Sequence, residues 1–401
     1  MTAESAERRD RTAATSALGE LVHDQVELSP LALGTWSGGR YMNFGEPISE
    51  ERLERLLRPD NRLATVITAD VYGRGAADRA LGRALRGLER GSYRLVGAVG
   101  HDFYAGERLG FKGYPRFTDP RLRGPEQYED YLRRATERML ERLGSDQLDV
   151  LLLHNPDRVG YTSERVWEAL RKLRDEGLCR SLGVAPGPAN GFTLDLIGCF
   201  ERFGEVVDWA MIILNPLEPW PGRLCLEAAE AHGVRLIARV VDHGGLFWGD
   251  VRPGHPFPER DHRRFRPPGW VEAGLARIDR MRPVAERHGL SWIQLAVAWV
   301  LAQRPIVCAV PTLIQEPGPQ ARPIEDKRAE LAATPLLSPL SAAEVEELAL
   351  IGDNRNCMQL KGASPDHEGA PRADSWPLAE RDLEVAARWG IDPVRDLRKA
   401  A

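Results

Sequence analysis

Residues able to move protons or hold a charged group follow several short apolar runs of this chain. Tyr72 lies near the end of Ile67-Thr68-Ala69-Asp70-Val71-Tyr72-Gly73, and His154 closes the run Leu148 to Leu153. A phenol and an imidazole brought together can give and take protons at a substrate oxygen. A free tyrosine ionises near pH 10, so a cation must help it if it is to ionise near neutral pH. Arg239, at the end of another apolar run, suits a carboxylate or another anion. In comparable places stand His101, Asp102, Asn155, Asn190, Asn215, Glu218, Asp242 and His243, which with Arg239 form the expected substrate-binding set. Adjacent side chains leaving a strand face opposite ways, so at most one of His101 and Asp102 is expected to face a site. Trp36, Trp220, Trp248 and Trp270 fall in loops. Trp36 and Trp220 are expected to line the site, as rings for stacking or as part of a hydrophobic lid. Asp149 and Asp157 read as a structural cap and a supporting partner. Glu218, Asp242, His243 and His154 are conceivable metal ligands, but no His-x-His or His-x-x-Glu spacing supports that, and no metal is expected.

The elements that must position these groups alternate. Strands are predicted over Thr65 to Ile67, Arg94 to Val99, Leu148 to Leu153, Ser181 to Ala185, Trp209 to Leu214, Leu236 to Val241 and Ile306 to Val310. Helical patterns lie over Ala76 to Arg90, Glu126 to Leu143, Ser163 to Glu176, Thr193 to Phe203, Leu224 to His232 and Trp292 to Leu301. Gly177, Gly204 and Gly233 each fall just past a helix, where a left-handed cap is expected. Strand–helix alternation repeated this often predicts an α/β fold, a closed (β/α)8 TIM barrel, with the polar set gathered at its C-terminal mouth. No Gly-x-Gly-x-x-Gly follows an early strand, which argues against a dinucleotide-binding open sheet. Two long loops, Asp102 to Pro125 and Asp242 to Trp270, leave from strand ends and would flank that mouth.

The 401 residues are 28% charged and 43% hydrophobic, with a net charge of −5, which is ordinary for a globular chain with a large core. The weak acidic balance predicts no nucleic-acid partner, and no run of about 18 apolar residues predicts a membrane span. Met1 to Gln25 is polar, without the apolar stretch of a signal peptide, and the five scattered cysteines read as reduced thiols. A cytoplasmic protein is expected. Residues 1–29 are read as a flexible N-terminal segment, 30–353 as the barrel and 354–401 as a C-terminal extension.

The order of motifs resembles the aldo-keto reductases. Leu33-Gly34-Thr35-Trp36, Tyr72-Gly73, Ala80 to Leu85, Leu148 to Asp157, Gly177 to Val184, Asn215 and Ala296 to Leu301 carry the resemblance. It implies that Tyr72 donates a proton to a carbonyl oxygen and that His154 orients the carbonyl. The family's aspartate and lysine, which lower the tyrosine pKa, fall at Ile67 and Ala98. The Ser-Asn pair that holds the nicotinamide amide falls at Ala185-Pro186, its glutamine at Met211, and the aromatic residue under the nicotinamide at Arg239. The family wraps the cofactor pyrophosphate at Asp242-His243-Gly244-Gly245. Should NADP(H) bind, Gly244, Gly245, Arg322, Lys327 and Arg328 are its expected contacts.

These substitutions point to a divergent aldo-keto reductase-like enzyme. It is expected to act on a small sugar-, polyol- or keto-acid-like substrate by Tyr72/His154 acid–base chemistry of elimination, isomerisation or lyase type, without the usual hydride machinery. The alternatives are an NAD(P)H-dependent carbonyl oxidoreductase with a rebuilt cofactor site, and a non-catalytic ligand-binding barrel.

Overall fold

The computed structural model describes residues 26–108, 113–187, 192–355 and 378–397. The N-terminal segment to residue 25, Lys112, Asn190, Cys357 and Lys361 lie outside the described residues.

Eight strands run in parallel in sequence order: β1 Ala32–Gly34, β2 Thr65–Ala69, β3 Arg94–Val99, β4 Leu148–His154, β5 Cys179–Ala185, β6 Trp209–Ile213, β7 Arg235–Arg239 and β8 Ile306–Val310. A parallel bridge between Leu31 and Ala309 joins the first and last strands, so the sheet closes into a (β/α)8 barrel. β4 is buried along its whole length, because one face packs inside the barrel and the other lies under helices. Val96, Val150, Leu152, Trp209, Ile237, Cys308 and Val310 fill the interior as one apolar cluster. Val26 and Leu28 belong to that cluster; Arg235 donates to Val26 O at 2.6 Å and lies 4.1 Å from the Trp209 ring.

The surrounding helices follow from apolar spacing. In α1 (Glu50–Leu57), Ser49 accepts from Arg52 N, while Leu53, Leu56 and Leu57 are buried. α2 covers Ala76–Leu85, and α3 covers Tyr128–Leu143. α3 buries Tyr131, Leu132, Ala135, Met139, Leu140 and Leu143 at three- and four-residue spacing, and it ends at Gly144, whose φ is 66°. α4 (Arg158–Thr162), α5 (Glu164–Asp175), α6 (Thr193–Phe203) and α7 (Leu226–Ala231) follow, then α8 (Trp270–Arg287) and α9 (Trp292–Leu301). α10 (Ile324–Ala332) and α11 (Ala342–Ile351) complete the ring, and α12 (Glu380–Arg388) and α13 (Pro393–Leu397) form the extension. Arg388 and Trp389 both bond Glu201, which fastens α12 to α6. Gly177 and Gly233 take the expected left-handed φ values of 83° and 68°. Gly204 corrects its prediction: its φ is −56°, and the chain leaves α6 with Val206 and Val207 N–H donating to Phe203 O.

The Asp242 to Trp270 loop is fastened by a buried ionic staple. Arg263, 1% exposed, donates to Asp261 and to both carboxylate oxygens of Glu316, and His255 lies 2.9 Å from Glu316. Asp261 in turn accepts from Gly45 N at 2.7 Å, so the loops after β1, β7 and β8 share one network. No helix of the described residues is long and apolar enough to cross a membrane. Cys179, Cys199, Cys225 and Cys308 are buried free thiols.

Candidate active site

Tyr72 follows β2, and His154 is the last residue of β4; their rings meet edge to face with centroids 5.7 Å apart. Trp36, just after β1, packs against Tyr72 at 6.3 Å, and His101, just after β3, packs against His154 at 5.2 Å. Thus four successive strand ends contribute to one ring cluster. β3 and β4 come close because Gly100 lacks a side chain: a Cβ there would sit 2.4 Å from His154 O.

Beneath Tyr72 the barrel is apolar. Ile67 and Ala98, where the resemblance places a carboxylate and an ammonium, are 1% and 4% exposed members of the interior cluster on which Tyr72 rests. Burial therefore pushes the phenol up to about 12, with the opposing charge of Arg239 too weak to cancel it. His154 is held well below the ordinary imidazole range, mainly by burial and further by His101, Arg116 and Arg239. Its Nδ1 has no hydrogen-bond partner among the described residues. His101 is fixed as one tautomer. Its Nδ1 lies 2.9 Å from Tyr114 O, which can only accept, so Nε2 accepts from Asn155 Nδ2 at 3.0 Å. Burial and Arg116 lower His101 to about 3. The site thus presents neutral donors and acceptors.

The charge comes from arginines. Arg239 leaves the end of β7 and reaches past β6, where its Nη2 donates to Pro186 O at 3.2 Å and Gly187 O at 2.6 Å beyond β5. Burial lowers its pKa, opposed by Tyr72, Glu218 and Tyr161. It also acts electrostatically on His154. Arg266, from the β7 loop, donates to His243 Nε2 at 3.1 Å and stacks over Trp270 at 4.8 Å. That bond leaves the His243 proton on Nδ1, 3.8 Å from Glu218 Oε2. Arg116 donates from Nε to Asn155 O. Arg116 and Arg266 escaped the sequence reading because they come from the middles of long loops, where the distance in space to a strand end is not legible.

Backbone strain collects here. Asn155, Val240 and His243 have φ values of 46°, 59° and 45°, and a β-branched residue at positive φ is a genuine outlier. Each such residue costs of order 1 kcal/mol or more, and strain of this kind clusters at sites that need a special side-chain direction.

The structure brings together Tyr72, His154, His101, Asn155, Arg239, Glu218, His243 and Trp36. It corrects the reading for three others, whose polar atoms are committed to backbone or loop ties. Asp102 accepts from Tyr104 N, Ala105 N and Arg123. Asn215 bridges Val240 O and Leu217 N. Asp242 accepts from Thr312 N and Gly245 N. Trp220 is tied at both its N–H and C=O to the Asn354 side chain, which clamps the β6 loop to the end of the barrel. Asp149 holds Leu95 N, Arg90 and Arg180, and Asp157 caps α4 through Gly160 N. Gly244 and Gly245 take positive φ in the loop, with Gly244 O accepting from Arg263. The basic residues expected near a cofactor phosphate all have protein partners. Lys327, fully buried, bonds Ile314 O and pairs with Asp250; Arg322 pairs with Glu330; Arg328 pairs with Asp60 and donates to Leu56 O. Among the described residues no three His, Cys, Asp or Glu side chains gather as a metal centre would need.

Residues 30–347 match the model of the aldo/keto reductase family, and the eight-stranded order agrees with it. The chain belongs to that family. An aldo-keto reductase of Schizosaccharomyces pombe, named with NADP(+), is 24% identical over 70% of this chain and 79% of its own. A probable voltage-gated potassium channel subunit beta of Arabidopsis thaliana is 23% identical over 80% of this chain and 94% of its own. Among solved structures, the glycerol dehydrogenase of Gluconobacter oxydans has a TM-score of 0.61 and 25% identity, covering 81% of this chain and 91% of that one.

Proposed function

We propose that this aldo/keto reductase-family member is an enzyme acting on a small sugar-, polyol- or keto-acid-like compound through Tyr72 and His154, without a nicotinamide cofactor. The observation that carries the reading is the path of Arg239. The family resemblance puts the nicotinamide ring at the Arg239 position and its amide at Ala185-Pro186. The guanidinium spans those two places through its bonds to Pro186 O and Gly187 O. An oxidised nicotinamide is cationic, and two like charges at 4 Å repel by about 4 kcal/mol in a partly buried setting. The partnered state of Arg322, Lys327 and Arg328 supports the same reading, since a cofactor phosphate would have to break those ties. So does the apolar floor of Ile67 and Ala98, which leaves Tyr72 without the groups that make it a relay in the family. The residues present do not fit the family's cofactor.

In this reading a substrate carbonyl lies between Tyr72 and His154. Tyr72, protonated throughout the physiological range, donates to the oxygen as charge develops there. His154 holds the oxygen in place through its neutral ring. The carboxylate of Glu218, which acts on the same arginine, takes the proton released from the neighbouring carbon. The result is an enol, from which isomerisation or elimination proceeds. Deuterium exchange at the carbon next to the carbonyl, followed by NMR with added hydroxy-ketones and keto acids and no nicotinamide, tests this. Exchange catalysed by the protein and lost in Tyr72→Phe is the expected result; exchange unchanged in Tyr72→Phe overturns the assignment.

A second reading, an NAD(P)H-dependent carbonyl oxidoreductase, is favoured by the reductase and dehydrogenase relatives. It requires Arg239 to leave the carbonyls of Pro186 and Gly187.

A further inference from the structure

Building on that reading of the mouth, we infer that the substrate is an organic anion and that Arg239 is the residue that binds its charged group. Three observations carry this. First, both hydrogen bonds of Arg239 within the described residues come from one nitrogen, Nη2, and both go to uncharged carbonyl oxygens. Its Nε–H and the two hydrogens of Nη1 have no protein acceptor among the described residues, so three of the five N–H donors a guanidinium carries are available to a ligand. A guanidinium anchored on one nitrogen is held in a fixed direction, which lowers the entropy lost when it binds an anion.

Second, neither Arg239 nor Arg266 forms a salt bridge among the described residues. Arg239 and Arg266 are both lowered by burial, and Arg266's hydrogen bond goes to the neutral ring of His243. Glu218 is the carboxylate that acts on both arginines. Asp242 also acts on Arg266 while accepting two backbone N–H groups. A buried guanidinium without a salt bridge is costly, and an anionic ligand relieves that cost.

Third, the histidines add no competing charge. His101, His154 and His243 all stay neutral by burial, so an anion's partner is the arginine and not a titrating imidazole. Tyr72 and Arg239, from the ends of β2 and β7, act on one another electrostatically. A carboxylate or phosphate ester gives the remaining guanidinium N–H groups a charged acceptor; a neutral polyol leaves the guanidinium unmatched.

Equilibrium binding followed by tryptophan fluorescence, with Trp36 at the site as reporter, tests this. The probes are lactate, inorganic phosphate and glycerol, with the wild type, Arg239→Gln and Arg239→Lys. Lactate or phosphate should bind the wild type and lose at least tenfold in affinity in Arg239→Gln. Arg239→Lys, which keeps the charge, should retain an intermediate affinity and shows that the loss is not a folding defect. Preference for lactate over phosphate assigns a carboxylate substrate, and the reverse a phosphate ester. Equal anion affinity in wild type and Arg239→Gln, or glycerol binding as tightly as either anion, overturns the inference. NADPH in a parallel titration separates the two proposals. Micromolar NADPH binding together with an Arg239-dependent lactate site would refute the cofactor-free reading while leaving the anion site standing.

Discussion

Replacing Glu316 by glutamine removes one negative charge from the staple that holds the β7 loop over the mouth and changes the side chain's volume little. Burial alone would raise the Glu316 carboxyl, but hydrogen bonds from His255 and Arg263 and the charges of Arg263 and Lys327 outweigh it and bring it to about 2, from an ordinary 4.5. That depression corresponds to about 3 kcal/mol at roughly 1.4 kcal/mol per pH unit. Because the folded-state value lies below the unfolded one, the stabilisation is complete above about pH 4.5 and is lost as the pH falls toward 2, with about half left at pH 3. Glu316→Gln should therefore be about 3 kcal/mol less stable than the wild type at pH 7 and about half that at pH 3, in line with the 3–5 kcal/mol usual for breaking a buried pair. Urea unfolding of both proteins at pH 7, 5, 4 and 3 measures the gap. A difference under about 0.5 kcal/mol at pH 7, or a gap that does not shrink with acid, would refute the argument that Glu316 and Arg263 fasten this loop.

Three further outcomes follow from the site. Tyr72→Phe should lower turnover by about 10²-fold or more, the usual worth of a positioned proton donor, while leaving thermal stability nearly unchanged, as measured by steady-state kinetics beside a melting curve; wild-type turnover in the variant would remove Tyr72 from the chemistry. Spectrophotometric titration should show one tyrosine, absent in Tyr72→Phe, ionising near pH 12 rather than 10. Since that folded value is raised, its contribution to stability disappears as the pH rises from about 10 to 12, and activity should show no Tyr72 limb below about pH 11. Gly100→Ala would press a methyl group onto His154 O, so the β3 and β4 ends must separate and His154 must move; a loss of tenfold to a hundredfold in kcat/KM with a folded protein is expected, and unchanged kinetics would mean His154 does not need its position.

Much of this architecture was legible because strands buried on both faces are continuous apolar runs. β3 and β8 match their predicted bounds residue for residue, as do α6 and α9. Helix α8 was not anticipated: it starts at Trp270 out of a loop rich in proline and arginine, and it carries Pro283 inside. Helix α1 was also missed, although Ser49 as cap and the spacing of Leu53, Leu56 and Leu57 were there to be read. At the site, the strand-end positions of Tyr72, His154 and Arg239 were readable because a barrel presents strand ends at one mouth. What the strand-end reading could not give was direction. Asp102, Asn215 and Asp242 turn back to fasten loops, while Arg116 and Arg266 reach in from loop centres. The partnering of Arg263 with Glu316 joins residues far apart in sequence, and no local pattern encodes it.

The central claim, that Arg239 and its surroundings have replaced the nicotinamide site, is tested most directly by titrating the protein with NADPH and NADH and following nicotinamide and tryptophan fluorescence. No saturable binding is expected up to about a millimolar, a free energy weaker than about −4 kcal/mol. Saturable binding at micromolar concentration would contradict it and would make this chain a carbonyl oxidoreductase with a rebuilt cofactor site.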